Sequence, residues 1–172
     1  ATLKYHMRFN EGRKFHELNY VNFQLSLDAI EIDKKLKGLK WITPHYKDNP
    51  EAEINFLKYT LETLKKDKRK KMVISNYLFF SMILNEKLYS PSRTYTLGGA
   101  SFPVKGNKYY LKYKNHFLEI VKKNKIQVIY IISSDYIVSD RLVYDYLDKT
   151  CITEHSFTEQ LKKFEIEKCK LI

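Results

Sequence analysis

Two short apolar runs, residues 72–75 and 126–132, each follow a stretch of helical periodicity, and this alternation limits the folds open to the chain more than any other feature. The second run reads IQVIYII, rich in β-branched residues, which marks a buried strand. Before it, Tyr110, Tyr113, Phe117, Ile120 and Val121 recur on one helical face, and Asn107 offers a cap. Before the first run, Asn49, Pro50 and Glu51 supply a cap side chain, a pre-set φ and a negative charge near the positive helix end. Ile54, Leu57, Leu61 and Leu64 then share a face up to about Lys66.

Strands separated by helices of this length imply right-handed βαβ units and a sheet covered on both faces. The expected fold is therefore an α/β, Rossmann-like three-layer sandwich with a mainly parallel sheet and a small N-terminal β element, in a single domain over 1–172. At this length folding buries roughly 70% of the unfolded chain's surface, so a core needs no staples. The small β element is placed on the alternating run 20–25, followed by a short strand at 39–43 that Pro44 stops. Residues 77–84 read as a helix packed on several sides. Pro91, Gly98, Gly99, Pro103 and Gly106 make 89–107 a long loop, and loops of that length inside compact domains are often functional. A further helix starting at Ser139 or Asp140 carries Leu142, Val143, Tyr146 and Leu147, and 161–169 reads as a final strand.

Composition adds two constraints. Against 5 Gly stand 14 Tyr and 10 Phe, so aromatic rings carry much of the packing. The longest apolar stretch, 72–84, is interrupted by Ser75, Asn76 and Ser81 and falls short of the ~20 residues that cross a bilayer. Cys151 and Cys169 cannot form a metal cluster by themselves and read as free or core thiols, able to pair in an oxidising compartment. The chain begins at Ala1 without an initiator Met, which suits a segment of a longer protein.

In parallel α/β sheets ligands bind beyond the carboxyl ends of the strands. His45 and Tyr46 follow the first strand, Asn76 and Tyr77 the second, and Ser133, Ser134 and Asp135 the third, while the long loop brings Arg93, whose fork suits a carboxylate or phosphate. His45, Asn76, Tyr77, Arg93 and Asp135 are thus the candidate ligand-binding residues. No G-x-G-x-x-G, P-loop, G-x-S-x-G or H-E-x-x-H is present, so no catalytic residue, cofactor or metal is assigned.

The net charge is +11. Its densest runs are Lys65, Lys66, Lys68, Arg69, Lys70 and Lys71, and then Lys122, Lys123 and Lys125, each between a helix and the next strand. In a parallel sheet both runs fall on the amino-terminal edge. They read either as solvated helix ends or as a basic platform for anionic lipid or nucleic acid.

Three segments, EIDKKLKGLKWITP, KMVISNYLFFSMILNEKLYSPSRTY and FPVKGNKYYLKYKNHFLEIVKKNKIQVIYII, in this order and spacing resemble the carboxyl-terminal soluble region of bacterial multi-spanning membrane proteins. Those proteins are described as dolichyl-phosphate-mannose-type or aminoarabinose-type glycosyltransferases. The resemblance spans residues 30–132. It implies a non-catalytic accessory domain on the extracytoplasmic, periplasmic face of the inner membrane, tethered to its own transmembrane region, that helps bind or position a glycan acceptor or a polyprenyl-phosphate sugar. The resemblance implies that the family's catalytic acidic residue lies in an early extracytoplasmic loop with no counterpart here, so no catalytic residue carries over. A freestanding nucleic-acid-binding protein and a small enzyme at the carboxyl edge of the sheet remain the other readings, nucleic acid being the less favoured partner.

Overall fold

A computed structural model describes residues 20–93, 95, 99, 101–133 and 141–167. The expectations that fall on Ser134, Asp135, Ser139, Asp140, Gly98 and Cys169 lie outside these residues. Contacts cluster into two compact units, Ala1–Tyr59 and Thr60–Ile172.

In the smaller unit, β1 (Leu27–Asp28) pairs antiparallel with β2 (Lys40–Trp41). The small β element therefore exists, but not at 20–25. There the chain forms a 3₁₀ turn, Phe23–Leu25, because the Asn22 carboxamide accepts a hydrogen bond from the Gln24 amide and holds the backbone in a turn. Of the alternating apolar residues only Val21 is buried, and Phe23 and Leu25 are exposed, so the run has no continuous apolar face against a core. Two 3₁₀ turns, Ala29–Glu31 and Lys34–Leu36, and Gly38 at φ +89° bring the chain back to β2. Glu53 is fully buried in α1 (Pro50–Lys66), where its carboxylate accepts from the Trp41 indole and the Thr43 hydroxyl, both at 2.9 Å. The Asn49 side chain caps α1 by accepting from the Ala52 amide.

The larger unit holds a four-stranded sheet in the order β3-β4-β6-β5: β3 (Lys71–Ser75), β4 (Val128–Ile132), β6 (Leu161–Ile166) and β5 (Ile152–Ser156). Only β3 and β4 run parallel, in register from Lys71 opposite Val128 to Ser75 opposite Ile132. β4 pairs antiparallel with β6, and β6 antiparallel with β5. The sheet is thus mixed and mostly antiparallel, and the mainly parallel Rossmann-like sandwich expected from the sequence is not formed. The reason lies in 152–166. ITEHS is a polar edge strand with only Ile152 buried, so it carries no apolar signal, and the four residues that join it to β6 permit a hairpin but no parallel crossover. Just before β5, Cys151 is disulfide-bonded and not the free or core thiol expected, since a single cysteine pair carries no spacing signal that separates thiols from a bridge.

β3 and β4 are joined through α2 (Phe80–Leu84) and α3 (Tyr110–Asn124), and α4 (Arg141–Tyr146) follows β4. Every residue of β3 and β4 is buried. Met72, Ile74, Ile129, Ile131 and Phe164, at the period of two that selects one face of a sheet, pack with Phe117, Val121, Val143 and Tyr146 in one core cluster. Tyr146 is its junction. Its ring meets Phe102, Tyr110, Tyr113 and Phe117 at centroid separations of 5.5, 5.7, 5.6 and 5.1 Å, and its hydroxyl donates to the Pro103 carbonyl. Such ring pairs add about 0.5–1.5 kcal/mol beyond the area they bury.

Replacing Tyr146 with Phe, which removes only the hydroxyl and the hydrogen bond it donates, is expected to cost about 1 kcal/mol, and Tyr146→Ala about 4 kcal/mol. Chemical denaturation with an unchanged m value reads both. Equal losses for the two variants would mean that the hydroxyl, and not the ring, anchors the cluster.

Candidate functional site

A cleft of about 300 Å³ opens at the carboxyl end of β3. Its floor is Val73 and Ser75 of β3. One wall is Tyr77, Leu78, Phe80 and Ser81 around the start of α2, and the other is Leu88 with the run Ser90, Pro91, Ser92 and Arg93. Local chemistry fixes this shape. β3 is an outer strand of the sheet, and residues 89–90 dock on its open side: the Tyr89 amide donates to the Lys71 carbonyl and the Ser90 hydroxyl to the Val73 carbonyl. Farther along, the Ser92 hydroxyl bonds the Ser101 carbonyl at 2.8 Å and the Tyr113 hydroxyl at 2.9 Å. The Tyr95 hydroxyl donates to the Ser92 carbonyl, and the Tyr95 amide donates to the Asn76 side chain at 2.9 Å. Burial pushes the Tyr113 phenol up to about 12 and raises Tyr95 further still, so both stay protonated at neutral pH and serve as hydrogen-bonding posts.

Of the residues singled out by sequence, the structure brings Tyr77 and Arg93 to this cleft. Arg93 is exposed and makes no ion pair with a described residue, which leaves its guanidinium available. Asn76 sits next to the cleft but is committed to holding the loop through Tyr95. Ser133 is buried, its amide donating to the Gln160 carbonyl in the β5–β6 connection. His45 and Tyr46 belong to the smaller unit, on the 3₁₀ turn Pro44–Tyr46. Asp135 lies outside the described residues. The serines of the walls were not foreseen. Their only sequence signal is the run Ser90-Pro91-Ser92-Arg93, where proline straightens the chain and small hydroxyls alternate before a guanidinium.

The described lining offers hydroxyls, one phenol, one guanidinium and apolar side chains, with no carboxylate, imidazole or thiol among them. Ser90 and Ser92 already donate to carbonyls, and the Ser92 hydroxyl also meets the Tyr113 hydroxyl. Such a set can hold an anionic or polyhydroxylated molecule. Among the described residues no group of His, Cys, Asp or Glu side chains could hold a metal ion.

The basic residues fall on the opposite end of β3, and they divide in two. Lys71 is not on the surface at all: its side chain is fully buried, and its ammonium meets the Glu86 carboxylate at 2.6 Å. Arg69 is half-buried and forked onto Asp67 at 2.9 and 2.7 Å, with a third bond to Glu165 at 3.1 Å. Lys65, Lys66, Lys68, Lys70, Lys122, Lys123 and Lys125 are exposed. Burial pushes the Asp67 carboxyl up, but the Arg69 fork, the Tyr130 hydroxyl at 2.8 Å and the Arg69 amide more than offset it and hold it well below the usual range. Arg69, and then Lys163 at 2.7 Å, hold Glu165 down to about 2, and His155 stands 3.8 Å away.

No family model matches the chain, and no curated protein or solved structure matches it either. No helix among the described residues is long and apolar enough to cross a membrane.

Both carboxyls are depressed on folding, so the stability they contribute is complete above the ordinary glutamate value of 4.5 and is lost as pH falls toward 2. Melting temperatures measured across this range should fall for the natural chain. Glu165→Gln should melt lower at neutral pH, with the two curves converging at about pH 2. Parallel curves would show that Glu165 contributes nothing that titrates.

Proposed function

We propose that this chain is a non-catalytic, extracytoplasmic binding domain of a membrane glycosyltransferase-like protein, and that the cleft beside β3 holds part of a glycan acceptor or the sugar-phosphate head of a lipid-linked sugar. One observation carries the reading: every described residue lining the cleft, from Val73 to Arg93, comes from the single segment KMVISNYLFFSMILNEKLYSPSRTY that resembles those transferases. The lining chemistry suits such a ligand. A guanidinium forks onto phosphate or carboxylate oxygens, serine hydroxyls make a polar wall for sugar hydroxyls, and a tyrosine offers a ring face. Binding needs these groups, whereas acid–base hydrolysis needs a titrating pair that the described lining does not supply. The disulfide at Cys151 suits an oxidising compartment.

The test is a titration of the chain with mannose, mannose 1-phosphate and inorganic phosphate, followed by amide chemical shifts. Shifts at 73–93 are expected with the sugar phosphate. Arg93→Ala should weaken that binding about ten- to a hundred-fold, as loss of a charge-assisted fork does, while Tyr77→Ala should weaken the sugar more than phosphate alone. Absence of shifts in the cleft with all three probes, or unchanged affinity in Arg93→Ala, overturns the assignment of the cleft. A full-length gene without membrane spans, or with this segment on the cytoplasmic side, overturns the assignment of the protein.

A further inference from the structure

Seven exposed lysines of the larger unit, Lys65, Lys66, Lys68, Lys70, Lys122, Lys123 and Lys125, gather at one end of the sheet. β3 and β4 are adjacent and parallel, so the turns that enter them lie side by side, and the Lys70 carbonyl accepts from the Gln127 amide between those turns. Lys65, Lys66, Lys68 and Lys70 come from the first turn and the helix end before it. Lys122, Lys123 and Lys125 come from the second. None of their ammonium groups is ion-paired with a described residue.

The carboxylates set into this edge are already engaged. Asp67 and Glu165 are taken by Arg69, and Glu165 also by Lys163. Glu167, just past β6 at this edge, accepts from the Thr153 hydroxyl, and Glu62 and Glu119 stand farther back on α1 and α3, so these three offset only part of the charge of seven lysines. What remains is a cluster of like charges at the end of one unit, a costly arrangement unless an anionic partner covers it.

We infer that this edge is a seat for an anionic bilayer surface. A base-stacking partner fits it less well. Among the described residues of this unit, the exposed aromatic side chains Tyr109 and Phe157 stand at the far ends: Tyr109 precedes α3, whose other end carries the lysines, and Phe157 follows β5 beside the carboxyl end of β4. Single-stranded nucleic acid is held by rings interleaved with charge, whereas lipid headgroups need charge alone. The seat stands independently of what fills the cleft. It also orients the unit: the lysines enter β3 and the cleft opens at its exit, so a domain seated this way opens its cleft toward water, which favours a glycan acceptor over a lipid-linked head as the occupant.

Co-sedimentation of the 172-residue chain with vesicles of phosphatidylcholine alone, and of phosphatidylcholine mixed with phosphatidylglycerol, tests the seat. Binding is expected only to the mixed vesicles and only at low salt, since screening shortens the reach of surface charge to about 10 Å at 0.1 M. Replacing Lys65, Lys68, Lys122 and Lys125 with Gln should lower the partition coefficient about a hundred-fold, roughly a factor of five per lysine less what incomplete contact removes. A control carrying Lys34, Lys37, Lys105 and Lys112→Gln has the same net charge and should bind as the natural chain does. Circular dichroism melts confirm that both variants fold. Equal loss in both would reduce the effect to net charge and overturn the seat. So would absence of binding to the mixed vesicles, or tighter salt-dependent binding to an oligonucleotide that the edge substitutions abolish.

Discussion

The parallel pairing of β3 with β4 sets the two ends of the larger unit. Because the strands run the same way, both helix-to-strand turns meet at one end and both strand exits at the other. Charge collects at the first end, where α1 and α3 finish in lysines. The cleft forms at the second, where β3 gives way to α2 and a returning loop. An antiparallel pairing of the same strands would place one basic turn at each end and divide the charge. The pairing itself rests on burial: neither strand exposes a residue, and the crossover that links them supplies Tyr95, Phe102, Tyr110 and Phe117 to the core cluster that Tyr146 joins from α4.

Burial of such completeness carries polar groups inward, and specific partners receive them. Lys71 begins β3 with its ammonium out of water and matched by Glu86, which is itself over a third exposed. Removing Glu86 would strand the buried charge, whereas replacing both partners by apolar residues of similar size need not destabilise the fold. Asp67 accepts from Arg69 and Tyr130, so the turn before β3 is tied to β4, and through Glu165 to β6. One guanidinium thereby fastens three consecutive strands at their charged end. Buried phenols do similar work elsewhere in the unit. Tyr95 and Tyr146 donate to the carbonyls of Ser92 and Pro103, in segments without regular structure, and Tyr110 donates to the Asp145 carbonyl at the end of α4.

The elements legible in the sequence are those whose side chains alternate between core and solvent at a clean period, or never leave the core. α1, β3, α3 and β4 are of this kind, and Asn49 caps its helix as a sequence reader expects. β5 was not legible because an edge strand takes its hydrogen bonds from one neighbour and needs almost no apolar side chains. Missing it turned a hairpin into a supposed crossover and a mixed sheet into a parallel one. Residues 20–25 err the other way: only Val21 of the alternating set is buried, and an asparagine side chain decides the local conformation. Of the candidate site, Tyr77 and Arg93 followed from the rule that ligands meet strand exits. The serine wall depends on which segment returns along β3, a long-range contact that no local pattern announces. Lys71 was read as surface because basic runs are usually solvated, and a strand's first residue is the place where that expectation fails.

The segment that lines the cleft also closes the side of the sheet. β3 would otherwise show a row of unpaired amide and carbonyl groups beside Val73 and Ile74, and residues 89–90 take up part of that row with two hydrogen bonds. The opposite border, β5, exposes threonine, histidine and serine, side chains that give another strand little apolar surface to pack on. Any event that lifts the returning loop, whether truncation, proteolysis or an over-large ligand forced between the walls, therefore uncovers a flat apolar border of the kind from which intermolecular β-assembly begins. Cover of the sheet border and the shape of the cleft depend on the same few residues.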